Sequence, residues 1–484
     1  MKEKDKEVAV HELSSLLDME PSVLRERLSR PKYFVWIKRK VPNDVVQQIK
    51  SLKIAGLDFK RESKRFYPNG SLAAHIIGFA GIDNHGLEGL ELAYDESLKG
   101  QEGWSQILRD ARQRELLIEK SYVPPQHGFH LVLTIDETIQ YIAERALDKA
   151  FNKNNAQAAT IIVMDTRTGE ILALANRPTY DLESVNASSV ESRTNRALSF
   201  VFEPGSIFKI VPAAAALEEK KFVETDKIFC ENGQYRVANN ILHDHKPHGT
   251  LTFRQVFELS SNIGVTKISQ KLGANNIYKY AHRFRFGIPT GIDLKGEVNG
   301  LLKLPSTWSK TSIGAIPIGH EVTSTPLQML GAMAAIANDG VYMKPHVVKY
   351  IKDNKEEIIR QFEPQVVDRV ISSDTAKRLT EILVGVTEQG TARRALIQGI
   401  RVAGKTGTAQ KVVGGTYSHS KFFASFVGFA PADNPRLAAI VVFDEPHPDH
   451  FGGTVSAPVF QEVVANALKY LDTSDGEYNM VTRK

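Results

Sequence analysis

A serine and a lysine, three residues apart, lie at the start of a predicted apolar helix. Ser206 and Lys209 follow a turn marked by Pro204 and Gly205, and residues 210–217 are apolar throughout. Residues three apart share a helix face, so we expect the Lys209 amine beside the Ser206 hydroxyl. A serine needs a base to become a good nucleophile, and a lysine can serve when burial lowers its pKa. The spacing therefore suits a serine nucleophile with a lysine base.

The Ser-x-x-Lys spacing also has a simpler interpretation, a pair on the solvated surface. Ser29 and Lys32 have the same spacing around a proline, and Ser418 and Lys421 have it in a polar loop. The surroundings of Ser206 differ, because an isoleucine, a phenylalanine and a long apolar run follow it. They predict burial, and a buried lysine requires a reason.

A second polar pair interrupts an apolar, helix-like segment. Ser260 and Asn262 are two residues apart, and their side chains could relay a proton and orient a substrate amide. A helix cap or a turn would use the same residue types. Ser184 and Asn186 repeat the spacing elsewhere, so the pair is informative only in combination.

The third candidate is a strand that carries a glycine. Lys405 supplies a positive charge, Thr406 and Thr408 supply hydroxyls, and Gly407 lets a ligand approach the backbone closely. Such a strand could pair with an extended peptide and hold its carboxylate. The simpler alternative is a lysine on an edge strand beside a bulge.

The elements that must position these groups follow an α+β pattern. Strands at both ends of the region, with helices between them, predict one antiparallel sheet covered by helices. Asp136 can cap the first of these helices. The predicted strands are Leu131–Ile135, Ala158–Met164, Ile171–Ala175, Phe422–Phe429 and Leu437–Phe443, and a last helix covers residues 458–471.

The first 125 residues read differently. Residues 8–28 predict two helices, with Pro21 at the start of the second. The segment from Lys60 to Gly103 is rich in glycine and charge, which predicts short strands and turns. Pro124 and Pro125 mark its end, so we divide the chain into an N-terminal module, residues 1–125, and a larger domain, residues 126–484.

Composition excludes several classes of protein. The 484 residues carry 61 basic and 56 acidic side chains, and this excess of only +5 does not indicate a nucleic-acid groove. No apolar run approaches the ~20 residues of a membrane helix, and the charged N-terminus is not a signal peptide.

Cys230 is the single cysteine of the chain and is expected to pack in the core. His243, His245 and His248 are expected in an exposed loop rather than at a metal.

In combination, the three motifs resemble those of the class B penicillin-binding proteins. Ser-x-x-Lys, Ser-x-Asn and Lys-Thr-Gly occur in the order known for serine β-lactamases and penicillin-binding proteins. The resemblance extends over nearly the whole chain. It includes Arg65–Gly70 with His75, Gly86–Glu91, Thr134–Asp136, and Phe202–Ser206, which is similar to the division branch of the family.

The resemblance implies a role for each motif. Ser206 would attack the carbonyl between the two terminal D-alanines of a peptidoglycan stem peptide, and Lys209 would accept its proton. Ser260 and Asn262 would position the base and the substrate. The resemblance assigns Lys405, Thr406, Gly407 and Thr408 to the hydrogen-bond network and the terminal carboxylate, with the backbone N–H groups of Ser206 and Thr408 as oxyanion hole.

The resemblance also implies a setting. An amine of a second stem peptide would resolve the acyl-enzyme and form the cross-link, β-lactams would be trapped on the serine, and neither metal nor cofactor is needed. Divisome proteins and a membrane glycosyltransferase are expected partners. No nucleic-acid partner is expected. The family is anchored in the inner membrane with its catalytic domain outside, and we expect this chain itself to lack the anchor.

Two other functions remain open from the sequence. A D,D-carboxypeptidase or β-lactamase would hydrolyse the acyl-enzyme and would need a base for water, which no residue clearly supplies. A non-catalytic divisome scaffold or drug sensor would bind partners through residues 1–125. Intact motifs favour the transpeptidase. Tyr67, His75 and Glu91 are expected to be structural, with partner docking as the alternative.

Overall fold

The computed structural model describes residues 3–105, 108–109, 115–116 and 122–481. A five-stranded antiparallel sheet forms the centre of the larger domain. Its strands are β1 (Ala158–Asp165), β2 (Ile171–Arg177), β3 (Ala403–Val413), β4 (Thr416–Ala430) and β5 (Leu437–Asp444). Their order across the sheet is β3-β4-β5-β1-β2, so β3, which carries the Lys-Thr-Gly motif, lies at an edge.

Helices cover this sheet, as predicted, and they do so on both faces. Ile162 and Met164 of β1 face one core, and Ile161 and Val163 face the other. The first core is covered by α2 (Ile210–Glu218), α3 (Asn262–Leu272) and α4 (Pro326–Ala337), and the second by α1 (Glu137–Lys153) and α5 (Ala457–Val481). Further helices are Phe253–Glu258, Ala274–Arg283 and Ser373–Glu388.

The sequence-based prediction of this domain is confirmed in its main lines and wrong in one strand. Asp136 caps α1 by accepting a hydrogen bond from the backbone of Ile139 at 2.9 Å. The strand predicted at residues 131–135 is His130–Leu133, and it does not join the central sheet. It pairs instead with Val348–Lys352, which also pairs with Ile358–Gln361. A local apolar pattern predicts a strand but not its partner.

The N-terminal module contains more helix than the glycine-rich sequence predicts. The two predicted helices are Glu3–Leu16 and Pro21–Ser29, and Pro21 occupies the first helical position of the second. With Asn43–Ser51 they enclose a small core of their own. Between residues 60 and 125, the described residues form three short helices and small strand pairs. They are Ala74–Ile77, Gly89–Ala93, Asp95–Leu98, Trp104–Ser105 with Tyr122–Val123, and Leu108–Arg109 with Glu115–Leu116.

Buried polar contacts join the module to the larger domain. His75 is buried, its Nε2 lies 2.8 Å from the carbonyl oxygen of Ser192, and burial lowers its pKa to about 4. The backbone N–H of Ala73 donates to Glu144 of α1 at 2.8 Å. These contacts favour the structural interpretation of His75. Among the helices in the described ranges given above, none has the length and apolarity needed to cross a membrane.

Candidate active site

The turn that carries Ser206 lies directly against β3. Residues Gly205–Lys209 form a 3₁₀ turn that continues into α2. Gly205 has a φ of +55°, and a Cβ on Gly407 would lie 2.4 Å from Ser425 Oγ and 3.1 Å from the carbonyl oxygen of Pro204. Only glycine at position 407 allows this close approach. The glycine of the third motif therefore lets the nucleophile turn pack on the edge strand.

Lys209 points from this turn to the second motif. It is fully buried, and its Nζ donates to the carbonyl oxygen of Ser260 at 2.7 Å and to Asn262 Oδ1 at 2.7 Å. A third contact joins it to Ser260 Oγ at 3.2 Å. Burial lowers the pKa of Lys209 to about 7, against the opposing effect of the Asp244 charge. Near neutral pH a large share of this lysine is an uncharged amine, which is the form a base needs.

Lys405 reaches the same serine hydroxyl from β3. Its Nζ donates to Ser260 Oγ at 2.9 Å and to the carbonyl oxygen of Thr406 at 3.1 Å. Lys405 is buried, and burial together with the nearby Lys209 charge holds the pKa of Lys405 well below its usual range. The Ser260 hydroxyl thus lies between two lysine amines, so it can pass a proton from one to the other.

Ser260 is held in an unusual backbone conformation. It has a φ of +60° and separates the helix Phe253–Glu258 from α3. This conformation is uncommon for a residue with a side chain. It directs the Ser260 carbonyl and hydroxyl oxygens to the Lys209 amine, while Ser261, not Ser260, caps α3 through a bond from Gly264. The simpler interpretation of the second motif, a helix cap, therefore describes Ser261 and not Ser260.

The sequence analysis missed Asp244, which fixes the second motif in place. Asp244 Oδ1 accepts from the backbone N–H groups of Asn262 at 2.5 Å and Ile263 at 3.0 Å. Its Oδ2 accepts from Ser261 Oγ at 2.6 Å. The carboxylate also favours the charged form of Lys209. Asp244 lies among the histidines considered above, and no local spacing relates it to residue 262.

The histidine segment is only partly the exposed loop we expected. His243 ends the strand Asn240–His243, and its carbonyl oxygen accepts from Asn262 Nδ2 at 2.9 Å. The His245 ring contacts that of Phe451, with 5.4 Å between their centroids. Cys230 is buried in the main core, as predicted.

Thr406 and Thr408 have partners on either side of the third motif. Thr406 Oγ1 lies 2.7 Å from Thr391 Oγ1, a residue that the sequence analysis missed. Thr408 Oγ1 accepts from the backbone N–H of Gly452 at 3.2 Å. The structure therefore brings the three motifs, which carry all eight predicted site residues, together at the edge strand. Within the described part of the chain, no side chain hydrogen-bonds the Ser206 hydroxyl, which is only half-buried.

Comparisons with known proteins agree with this fold and site. Residues 159–465 match the penicillin binding protein transpeptidase domain, and residues 1–133 match the penicillin-binding protein dimerisation domain. The chain is similar to Stage V sporulation protein D of Bacillus subtilis, with 38% identity over 90% of this chain and 68% of that protein. It is similar to peptidoglycan D,D-transpeptidase FtsI of Escherichia coli, with 32% identity over 91% and 73%.

A solved structure shows the same architecture. Penicillin binding protein 3 of Mycobacterium tuberculosis, complexed with aztreonam, superposes with a TM-score of 0.77. The two share 33% sequence identity, over 85% of this chain and 91% of that chain. The chain belongs to the class B penicillin-binding proteins. Its enzyme class is that of the family, a peptidoglycan D,D-transpeptidase.

Proposed function

We propose that this protein cross-links peptidoglycan through an acyl-enzyme on Ser206, with Lys209 as the base that accepts the hydroxyl proton. The observation that carries the proposal is the meeting of Lys209 and Lys405 at the Ser260 hydroxyl. Both lysines are buried among neutral oxygen acceptors, and burial lowers both pKa values. An uncharged buried amine beside a serine turn is the arrangement that serine activation requires.

These contacts support the following acylation step. Ser206 Oγ forms a bond to the carbonyl carbon of the D-Ala-D-Ala peptide bond, and its proton passes to Lys209 Nζ. The C–N bond then breaks, and the leaving D-alanine amine takes up the proton through the Ser260 hydroxyl. Asn262 holds Lys209 in place through Oδ1. An amine of a second stem peptide attacks the ester in the reverse sequence and releases Ser206.

The edge position of β3 supports the binding of an extended donor peptide. β3 pairs with β4 along one side only, which leaves its outer backbone groups for a ligand. Thr406 and Thr408 bring hydroxyls to the terminal carboxylate, while Lys405 belongs to the hydrogen-bond network at Ser260. The backbone N–H groups of Ser206 and Thr408 are the donors we assign to the oxyanion hole.

Hydrolysis is the less favoured function. It needs a carboxylate or another base that can activate a water molecule on the acyl-enzyme. In the described part of the chain, two carboxylates that contact the site segments are already engaged. Asp244 holds the start of α3, and Glu203 has three hydrogen-bond partners. Engaged carboxylates of this kind favour a long-lived acyl-enzyme and transfer to an amine.

We infer a septal role from the similarity to FtsI and from residues 202–205. With that role we propose divisome proteins and a membrane glycosyltransferase as partners, and a location at the inner membrane with the catalytic domain outside. We also propose that the N-terminal module ends at residue 125 and that the transpeptidase domain begins at residue 126. Depleting the protein in its own host and imaging the cells tests the role, because loss of a septal enzyme gives filaments and loss of an elongation enzyme gives round cells.

Intact mass after incubation with benzylpenicillin tests the chemistry. We expect a stable adduct on the parent protein and none on Ser206→Ala. Ser29→Ala is the matched control, because Ser29 also precedes a lysine by three residues, and it should acylate like the parent. Consumption of penicillin without a lasting adduct would favour a hydrolase over a transpeptidase. An adduct on Ser206→Ala would refute Ser206 as the nucleophile.

A further inference from the structure

Glu203 lies three residues before Ser206 and has a partner on each carboxylate oxygen. Its Oε2 lies 2.9 Å from His320 Nδ1. Its Oε1 accepts from the backbone N–H of Glu321 at 2.9 Å and from Tyr417 Oη at 3.3 Å. The side chain is only 15% exposed. One carboxylate thus joins the nucleophile turn to two segments that are more than a hundred residues away in the chain.

The first of these segments, residues 319–324, is also tied to the nucleophile turn by backbone contacts. The N–H of Gly205 donates to the carbonyl oxygen of Gly319 at 3.1 Å, and Phe202 and Ser324 exchange two bonds of 3.0 Å. A Cβ on Gly319 would lie 2.1 Å from the Gly205 carbonyl oxygen. This segment is therefore packed directly against the turn, and Glu203 adds side-chain bonds to it.

The second segment is the outer part of the β3–β4 hairpin, residues 411–421, which we call the hairpin arm. It continues β3 beyond Thr408, and the pairing register shifts between Gln410 and Val412. Val412 and Val413 are about half exposed, at 54% and 49%. The arm thus projects from the sheet on the strand that would hold the donor peptide.

Tyr417 connects the arm to the nucleophile turn. Besides its bond to Glu203, its ring packs edge-on against the His320 ring, with 5.0 Å between centroids. Lys411 and Lys421 tie the base of the arm to Glu445. Burial and the Glu203 charge raise the pKa of Tyr417, so its hydroxyl stays protonated and remains a donor.

We propose that Glu203 is a positioning residue that couples the hairpin arm to the Ser206 turn. The coupling keeps a fixed geometry between β3, which receives the donor peptide, and the nucleophile Ser206. This inference rests on the proposed function. Glu203 acts through Ser206 and β3 and does not exchange protons with substrate, because both of its oxygens accept from protein groups. Tyr417 is the donor through which the coupling reaches the arm.

The test combines acylation kinetics with hydrogen exchange on Glu203→Ala, Tyr417→Phe and the double variant. For Tyr417→Phe, which loses a single hydroxyl, we expect benzylpenicillin acylation to fall about 3- to 10-fold. For Glu203→Ala we expect a fall of about 10- to 100-fold, because several bonds to a charged group are lost. Because Tyr417 acts through Glu203, the double variant should match Glu203→Ala within about twofold instead of showing the product of both losses.

Hydrogen exchange locates the effect independently of acylation. Amides of the hairpin arm should exchange faster in both single variants, and amides of residues 319–324 only in Glu203→Ala. Tyr235→Phe is the matched control, since Tyr235 lies on a different hairpin, Gln234–Val237 with Asn240–His243, and its hydroxyl donates to Gln270 of α3. It should leave both readouts unchanged. All variants should keep the parental melting temperature within a few degrees.

Several outcomes would overturn the coupling. One is a Tyr417→Phe variant with parental acylation and parental exchange of the arm. Another is a double variant whose losses multiply, which would mean that the two residues act separately. If the parent forms no adduct at all, the proposed function fails, whereas the exchange data still decide whether Glu203 holds the arm.

Discussion

Charged side chains are held differently in the N-terminal module and at the candidate active site. In the module, Arg39 lies between two carboxylates, at 2.6 Å from Glu62 and 2.5 Å from Asp83, and they raise its pKa. At the site, Lys209 and Lys405 contact neutral oxygens, and burial lowers their pKa values. A cation paired with carboxylates stays charged and holds segments together. A cation buried among neutral acceptors can lose its proton and act as a base.

The largest effect expected from this difference is the loss of the base. Lys209→Met keeps the apolar length of the side chain and removes the amine, so acylation by benzylpenicillin should slow by about 10²- to 10⁴-fold, the range for a general base. Stopped-flow measurement of the acylation rate tests this. A loss smaller than about tenfold would show that another group removes the Ser206 proton, and the contrast between the two regions would lose its functional meaning.

The second effect is the dependence of acylation on pH. Burial lowers the pKa of Lys209 to about 7, and the active form is the uncharged amine. Acylation should therefore fall about tenfold per pH unit below 7 and level off above about pH 8. The same rate measured from pH 5 to pH 9 checks this. A rate that still rises steeply at pH 9 would mean that Lys209 keeps an ordinary lysine pKa.

Much of the fold could be predicted from the sequence, because its signals are local. The apolar runs of β1, β2 and β5 predicted strands of an antiparallel sheet covered by helices, and Asp136 and Pro21 marked helix starts that the structure confirms. The partner of the strand His130–Leu133 could not be predicted, since pairing depends on a segment some 200 residues later.

The candidate site was predictable only as three separate motifs. Their combination came from a known family, and the contacts between Lys209, Ser260 and Lys405 came from the structure. Asp244 and Thr391 carried no recognisable signal. Each acts through a tertiary hydrogen bond to a motif residue, and a single aspartate or threonine in a loop is too common to indicate a contact of this kind.

Asp244 provides the third test, because its negative charge opposes the lowering of the Lys209 pKa by burial. Asp244→Asn removes the charge that favours protonated Lys209, so the midpoint of the pH–rate curve should move below 7. The same change weakens the bonds to Ser261 and Asn262, so the plateau rate should fall about 10- to 100-fold. Rate against pH separates the two effects. A lower plateau with an unmoved midpoint would make Asp244 purely a support for α3.

The smallest effect is expected where the cation is already paired. Arg39→Met removes the bonds to Glu62 and Asp83 in the N-terminal module, and ion pairs near the protein surface contribute little to stability. The melting temperature should drop by no more than a few degrees, and acylation by benzylpenicillin should stay at the parental rate at every pH. A change in the acylation rate without a change in melting temperature would contradict the separation of the two regions. It would mean that the Arg39 pairs act on the Ser206 turn through the contacts at His75 and Glu144, so that the module contributes to catalysis as well as to the architecture.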